Sequence, residues 1–111
     1  MIRSVAANEI QIGADVYRHA IAITSDEVID DWPDINVADL QDNDFSALLA
    51  SNPEVIVLGT GAAIQFPSRD LVFAMARRGV GFEVMDSAAA ARTFNVLAGE
   101  GRQVAAVLYI S

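Results

Sequence analysis

The stretch from Pro53 to Ile110 limits this chain more than any other. It falls into five blocks: PEVIVLGTG, PSRDLVFAMARRG, VGFEVMD, SAAAARTFNVLAGEG and RQVAAVLYI. The first, third and fifth are short, near-continuous apolar runs, the pattern of strands covered on both faces. The second and fourth carry helix signals. Ser68 or its neighbour opens the first helix, Leu71, Val72 and Met75 give it a core stripe, and Arg77-Arg78-Gly79 ends it with dipole-favoured cations and a C′ glycine. Asp86 or Ser87 caps the second and Gly99 stops it, while Ala88 to Ala91 supply a small-residue face for close approach to a sheet. Strand, helix, strand, helix, strand with short connections is a βαβαβ run, so the predicted fold class is α/β.

The N-terminal half predicts strands. Glu9–Ile12 and Val16–Thr24 read as a hairpin broken around Gly13. In the second strand Tyr17, Ile21 and Ile23 share a face, and the sole histidine, His19, is expected half-buried between them. A short strand over Glu27–Ile29 stops at Trp32-Pro33. Residues 1–8 are expected as a frayed lead-in, and the whole chain, 1–111, as one domain. A helix is expected over Asp44–Ser51, with Phe45, Leu48 and Leu49 at core spacing and a cap within Asp42 to Asp44. Glu100 and Arg102 are expected to pair locally or to fix the turn before the last strand.

Residue usage removes whole classes of chemistry. There is no cysteine and no lysine, and seven arginines face fifteen acids for a net charge of −8. Disulfides, thiolate nucleophiles, cysteine-ligated metals, Schiff bases and a Walker lysine are therefore excluded. The charge balance opposes nucleic-acid binding, which draws on clustered cations. Apolar runs fall far short of the ~20 residues of a membrane span, so no direct membrane insertion is expected. No leader is read in residues 1–25, and a cytoplasmic location is expected.

The motifs are equally sparing. GTGAAI, Gly59 to Ile64, follows a strand but places Ile64 where a dinucleotide fingerprint has glycine, and the helix opens too late to receive a pyrophosphate. The acidic run Asp26 to Asp44 could suggest calcium, but DNDFSALLASNP, Asp42 to Pro53, lacks the glycine and final glutamate of an EF-hand, and a solvated acidic face is expected. The single histidine and the absence of G-x-S-x-G leave no Ser-His-acid set. The expected catalytic residues, metals and cofactors are none. What remains is the carboxyl edge of the sheet, where α/β folds bind ligands. Thr60, Gly61, Glu83, Asp86, Arg92 and Asn95 form the candidate ligand or partner site there. Glu83, an acid in an apolar strand, must reach solvent or meet a cation. Arg92 has no carboxylate at i±3 or i±4 on its own helix, which leaves three readings: a surface charge, an ion pair with a distant acid, or an anion clamp.

VLGTG followed by GVGFEVMDSAAAARTFNVLAGEGRQVAAVL resembles a small α/β family of domains of unknown function. Its animal members include mitochondrial NADH dehydrogenase (complex I) alpha-subcomplex assembly factor three and an adipogenesis-associated domain protein. The resemblance covers Val55 to Leu108 strongly and the N-terminal hairpin loosely. This chain departs from it at Asp86-Ser87, Ala91 and Thr93-Phe94-Asn95, where a thiol and a phenol are lost. The resemblance implies a three-layer fold around a mixed sheet, no known cofactor and no established activity. The first functional expectation is a non-catalytic interaction or assembly-factor-like domain, with another protein as partner and a homodimer as an option. The alternative is an anionic-ligand site or weak enzyme, with Thr60 and Gly61 as donors, Glu83 as acid or base and Arg92 as clamp.

Overall fold

The computed structural model describes residues 1–110. Strands β1 (Ile2–Ala6), β2 (Glu9–Ile12) and β3 (Asp15–Tyr17) form a three-stranded antiparallel sheet. Strands β4 (Ile21–Thr24), β5 (Val28–Ile29), β6 (Val55–Thr60), β7 (Gly81–Met85) and β8 (Val104–Tyr109) form a five-stranded mixed sheet in the order β5-β4-β8-β6-β7. β8, β6 and β7 run parallel, whereas β4 is antiparallel to both β8 and β5. The helices are α1 (Ser46–Ala50), α2 (Arg69–Arg77) and α3 (Ser87–Gly99).

Chain direction explains the layering. From β6 the chain crosses through α2 to β7 on one side, then returns through α3, past β6, to β8 on the other. Right-handed crossovers made in opposite directions set their helices on opposite faces of a sheet. Alternate residues of β6 accordingly serve two cores. Val55 and Val57 join Ile10, Ile21, Phe94 and Leu108 under α3 and the small sheet. Ile56 and Leu58 join Phe45, Leu48, Leu71 and Met75 under α1 and α2. The result is a three-layer, mixed-sheet α/β fold.

The N-terminal half departs from its sequence pattern. Residues 1–8, expected as frayed, contain β1, whose Ile2 is buried and pairs with Ile12. Val16–Thr24 is not one strand: β3 ends at Tyr17 in the small sheet, and β4 begins at Ile21 in the large one. The bend between them leaves His19 exposed, with its ring edge-on to Tyr17. Period-two counting fails here because it was carried across a change of sheet. The Glu27–Ile29 strand contracts to Val28–Ile29.

The helix expected over Asp44–Ser51 is split into a 3-10 turn, Asp42–Phe45, and α1, with Gln41 and Asp44 forming a reciprocal capping box. In α2 the buried stripe is Leu71, Ala74 and Met75, while Val72 faces outward. Gly79 takes the left-handed conformation after α2 as expected, but α3 continues through Gly99 and its left-handed terminator is Gly101, at φ 77°. The acidic segment is tied down by aromatics. Trp32 meets Phe45 edge-on, and its Nε1–H donates to the Tyr109 hydroxyl at 3.0 Å. That hydroxyl in turn donates to the Ile35 carbonyl at 2.7 Å.

Candidate functional site

The carboxyl edge of the parallel strands is organised by Ser87, the first residue of α3. Its side chain is 1% exposed. Its Oγ accepts from the Gly61 N–H at 2.9 Å and donates to the Tyr109 carbonyl at 2.7 Å. The Ser87 N–H donates to the Gly61 carbonyl at 2.9 Å. One hydroxyl and one amide thus join the ends of β6 and β8 to the start of α3. Gly59 permits this approach: a Cβ there would lie 2.9 Å from Ser87 Cα, Ser87 Oγ and Ala90 Cβ. Gly61 meets the turn's demand with φ 96°, which side chains disfavour.

The other candidates at this edge are engaged in the same way. Thr60 is 2% exposed. Its hydroxyl donates to the Ala63 carbonyl at 2.8 Å, with the Met85 carbonyl at 3.4 Å, and accepts from the Gln65 N–H at 3.0 Å. This folds the loop after β6 back onto the strand end. Asp86 is the N-cap of α3, its Oδ1 accepting from the Ala89 N–H at 2.8 Å. The Asn95 amide accepts from the Ile2 N–H at 3.1 Å and donates to the Ile2 carbonyl at 2.7 Å. It acts as a strand partner for β1 beside the irregularity between Ile2 and Ser4.

The two charged candidates lie apart. Glu83 sits in β7 and reaches solvent, which resolves how an acid is tolerated in that strand. Arg92 is exposed on α3 and, among the described residues, makes no ion pair. Arg102, expected near Glu100, instead pairs with Glu54 at 3.6 Å. Five of the six residues line separate depressions. Gly61 and Asp86 border one of about 200 Å³, Arg92 and Asn95 another of about 290 Å³, and Glu83 a third of about 700 Å³. Among the described residues no group of three or more His, Asp or Glu is placed to hold a metal. The acidic run is partly engaged, Asp42 with Arg78 at the end of α2 at 3.3 Å and Asp44 with the Gln41 N–H.

Sequence reasoning missed Ser87 as the organiser, since it counted only as one of two possible caps. It also missed the largest of these depressions, formed by Phe66, Pro67, Val72 and Phe73 beside Phe82 and Val84 of β7. Phe66 is 75% and Phe73 55% exposed, an uncommon state for phenylalanine. The signal was present in Phe73, which lies off the Leu71–Met75 stripe.

Comparison with known proteins follows this architecture. A solved structure from Xanthomonas campestris is 40% identical and superposes with a TM-score of 0.91, over 99% of this chain and 83% of that one. The human NADH dehydrogenase [ubiquinone] 1 alpha subcomplex assembly factor 3 is 38% identical over 72 residues, which cover 63% of this chain but only 39% of the human protein. A 13 kDa major membrane protein of Francisella tularensis is 27% identical over 93 residues, covering 83% of this chain and 76% of that protein. The model of a family described as proteins of unknown function (DUF498/DUF598) matches residues 2–109, and the chain belongs to that family.

Proposed function

We propose that this member of the DUF498/DUF598 family is a non-catalytic, assembly-factor-like domain that binds another protein, acting on a membrane-bound respiratory complex from its aqueous side. The observation that carries this reading is the 38% identity to a complex I assembly factor over 72 residues, 63% of this chain. The geometry supports it in two ways. Thr60, Gly61, Asp86 and Asn95 spend their polar groups on holding the fold, and Glu83 and Arg92 border different depressions. No helix among the described residues is long and apolar enough to cross a membrane, in keeping with action from the aqueous side.

The test is genetic. Deleting the gene in its host should lower the amount of fully assembled membrane NADH dehydrogenase on native gels, leave other respiratory complexes at their normal level, and be reversed by the wild-type gene. An unchanged level of the assembled enzyme would remove the proposal.

A further inference from the structure

The depression beside β7 coincides with an open sheet edge. Among the described residues β7 is the last strand of the large sheet and pairs only with β6. The Gly81 N–H donates to the Glu54 carbonyl at 2.9 Å, which fixes the parity of the ladder. In a parallel pair alternate residues face the same neighbour, so Gly81, Glu83 and Met85 bond toward β6 while the amides and carbonyls of Phe82 and Val84 face outward. The same two residues turn their side chains to the α2 face of the sheet, beside Phe66, Val72 and Phe73. Backbone groups with no partner among the described residues and a trough that is apolar except for Arg69 on the α2 side therefore lie along one line. That combination accepts an added strand: main-chain bonds give affinity, and alternate side chains enter the trough.

Charge selects the occupant. A second copy pairing antiparallel through both outward residues would set Phe82 opposite Val84 and hence Glu83 directly opposite its own counterpart. Two facing carboxylates destabilise such a pair. A strand of another protein with a cation at that position meets Glu83 favourably, and the chain's net charge of −8 adds to the attraction. We infer that the β7 edge docks an extended segment of a partner protein in which apolar residues, facing Phe66 and Phe73, alternate with a basic residue opposite Glu83. This rests on the assembly-factor reading and names the surface it would use. Glu83 then has two effects at once, discouraging self-association and selecting a basic strand.

The test uses the whole chain, 15N-labelled, and two capped hexapeptides, one alternating valine with arginine and one alternating valine with glutamate. The arginine peptide should slow amide exchange at Phe82 and Val84 and shift the ring signals of Phe66 and Phe73. The glutamate peptide should bind at least about two- to fivefold more weakly, the range expected for one cross-strand charge pair, with its other charges and the chain's net charge of −8 adding to the difference. Glu83→Gln, a mild change at an exposed site, should narrow the discrimination to what the chain's net charge alone gives, and Glu83→Arg should narrow it further. Unaltered exchange at Phe82 and Val84 with the arginine peptide would overturn the inference. So would protection in the peptide-free protein that grows with its concentration, which would assign the edge to a second copy. In either case the deletion phenotype would persist if only this surface is wrongly assigned, and would be missing if the assembly role itself is wrong.

Discussion

The side-chain amide of Asn95 bonds the backbone of Ile2 twice, accepting from its N–H and donating to its carbonyl. A residue in the middle of α3 thereby completes the ladder of the N-terminal strand across 93 positions of sequence. Arg92 shares the depression that this contact borders, yet Asn95 is the residue with a structural task.

Asn95→Ala should destabilise the protein by about 1–3 kcal/mol, since two partly buried backbone groups lose their partner. Urea denaturation gives the magnitude. Amide exchange gives the location, with Ile2 accelerating far more than the β6 amides.

Ser87→Ala should cost about 2–4 kcal/mol, because the Gly61 N–H and the Tyr109 carbonyl lose their bonds to its hydroxyl together. Gly59→Ala should cost about 1–3 kcal/mol by a different route, pushing α3 off the end of β6. Denaturation midpoints of the two variants and of their combination check this. The two losses should add imperfectly, since both act on one contact.

Burial raises the pKa of the Tyr109 phenol above its ordinary 10.0; its bond from Trp32 opposes the shift, and nearby Asp44 and Asp34 add to it. The folded state therefore holds its proton more tightly than the unfolded chain. The resulting stability is fully present below the unfolded pKa and is lost as pH rises through the folded one. Tyr109→Phe should lower stability at neutral pH by about 1–3 kcal/mol, through the abandoned Trp32 N–H and Ile35 carbonyl, and should flatten the alkaline decline. Urea midpoints from roughly pH 8 to 11, wild type against variant, show whether it does.

Arg92→Ala should change stability by less than about 0.5 kcal/mol, as expected for an exposed charge without a partner. It should also restore complex assembly in the deletion strain as well as the wild type does. Failure to restore assembly, with stability intact, would return Arg92 to a recognition role.

The sequence made the C-terminal architecture legible because its strands are buried on both faces and its helices carry their own caps. Gly79 stands in the structure where local chemistry placed it, and of the caps left open at the two helix starts the structure uses Ser68 and Asp86. The N-terminal half was harder to read, since its decisive contacts are distant ones. β1 depends on Asn95, and the strand from Val16 to Thr24 divides between two sheets whose alternation looks continuous on paper. The candidate residues do not gather at one point: Gly61 and Asp86, Arg92 and Asn95, and Glu83 border three different depressions. Positions at the carboxyl ends of strands could be inferred, whereas the engagement of Thr60 and Gly61 by Ala63 and Ser87 depends on loop geometry that spacing does not encode.

An assembly factor must accompany its client and then leave it. The most direct test follows the tagged chain on native gels through a pulse-chase of NADH dehydrogenase assembly in its host. The account predicts that the chain co-migrates with partly assembled intermediates and is absent from the finished complex. Migration of the chain apart from every intermediate, at all times and while the complex is being made, would contradict it.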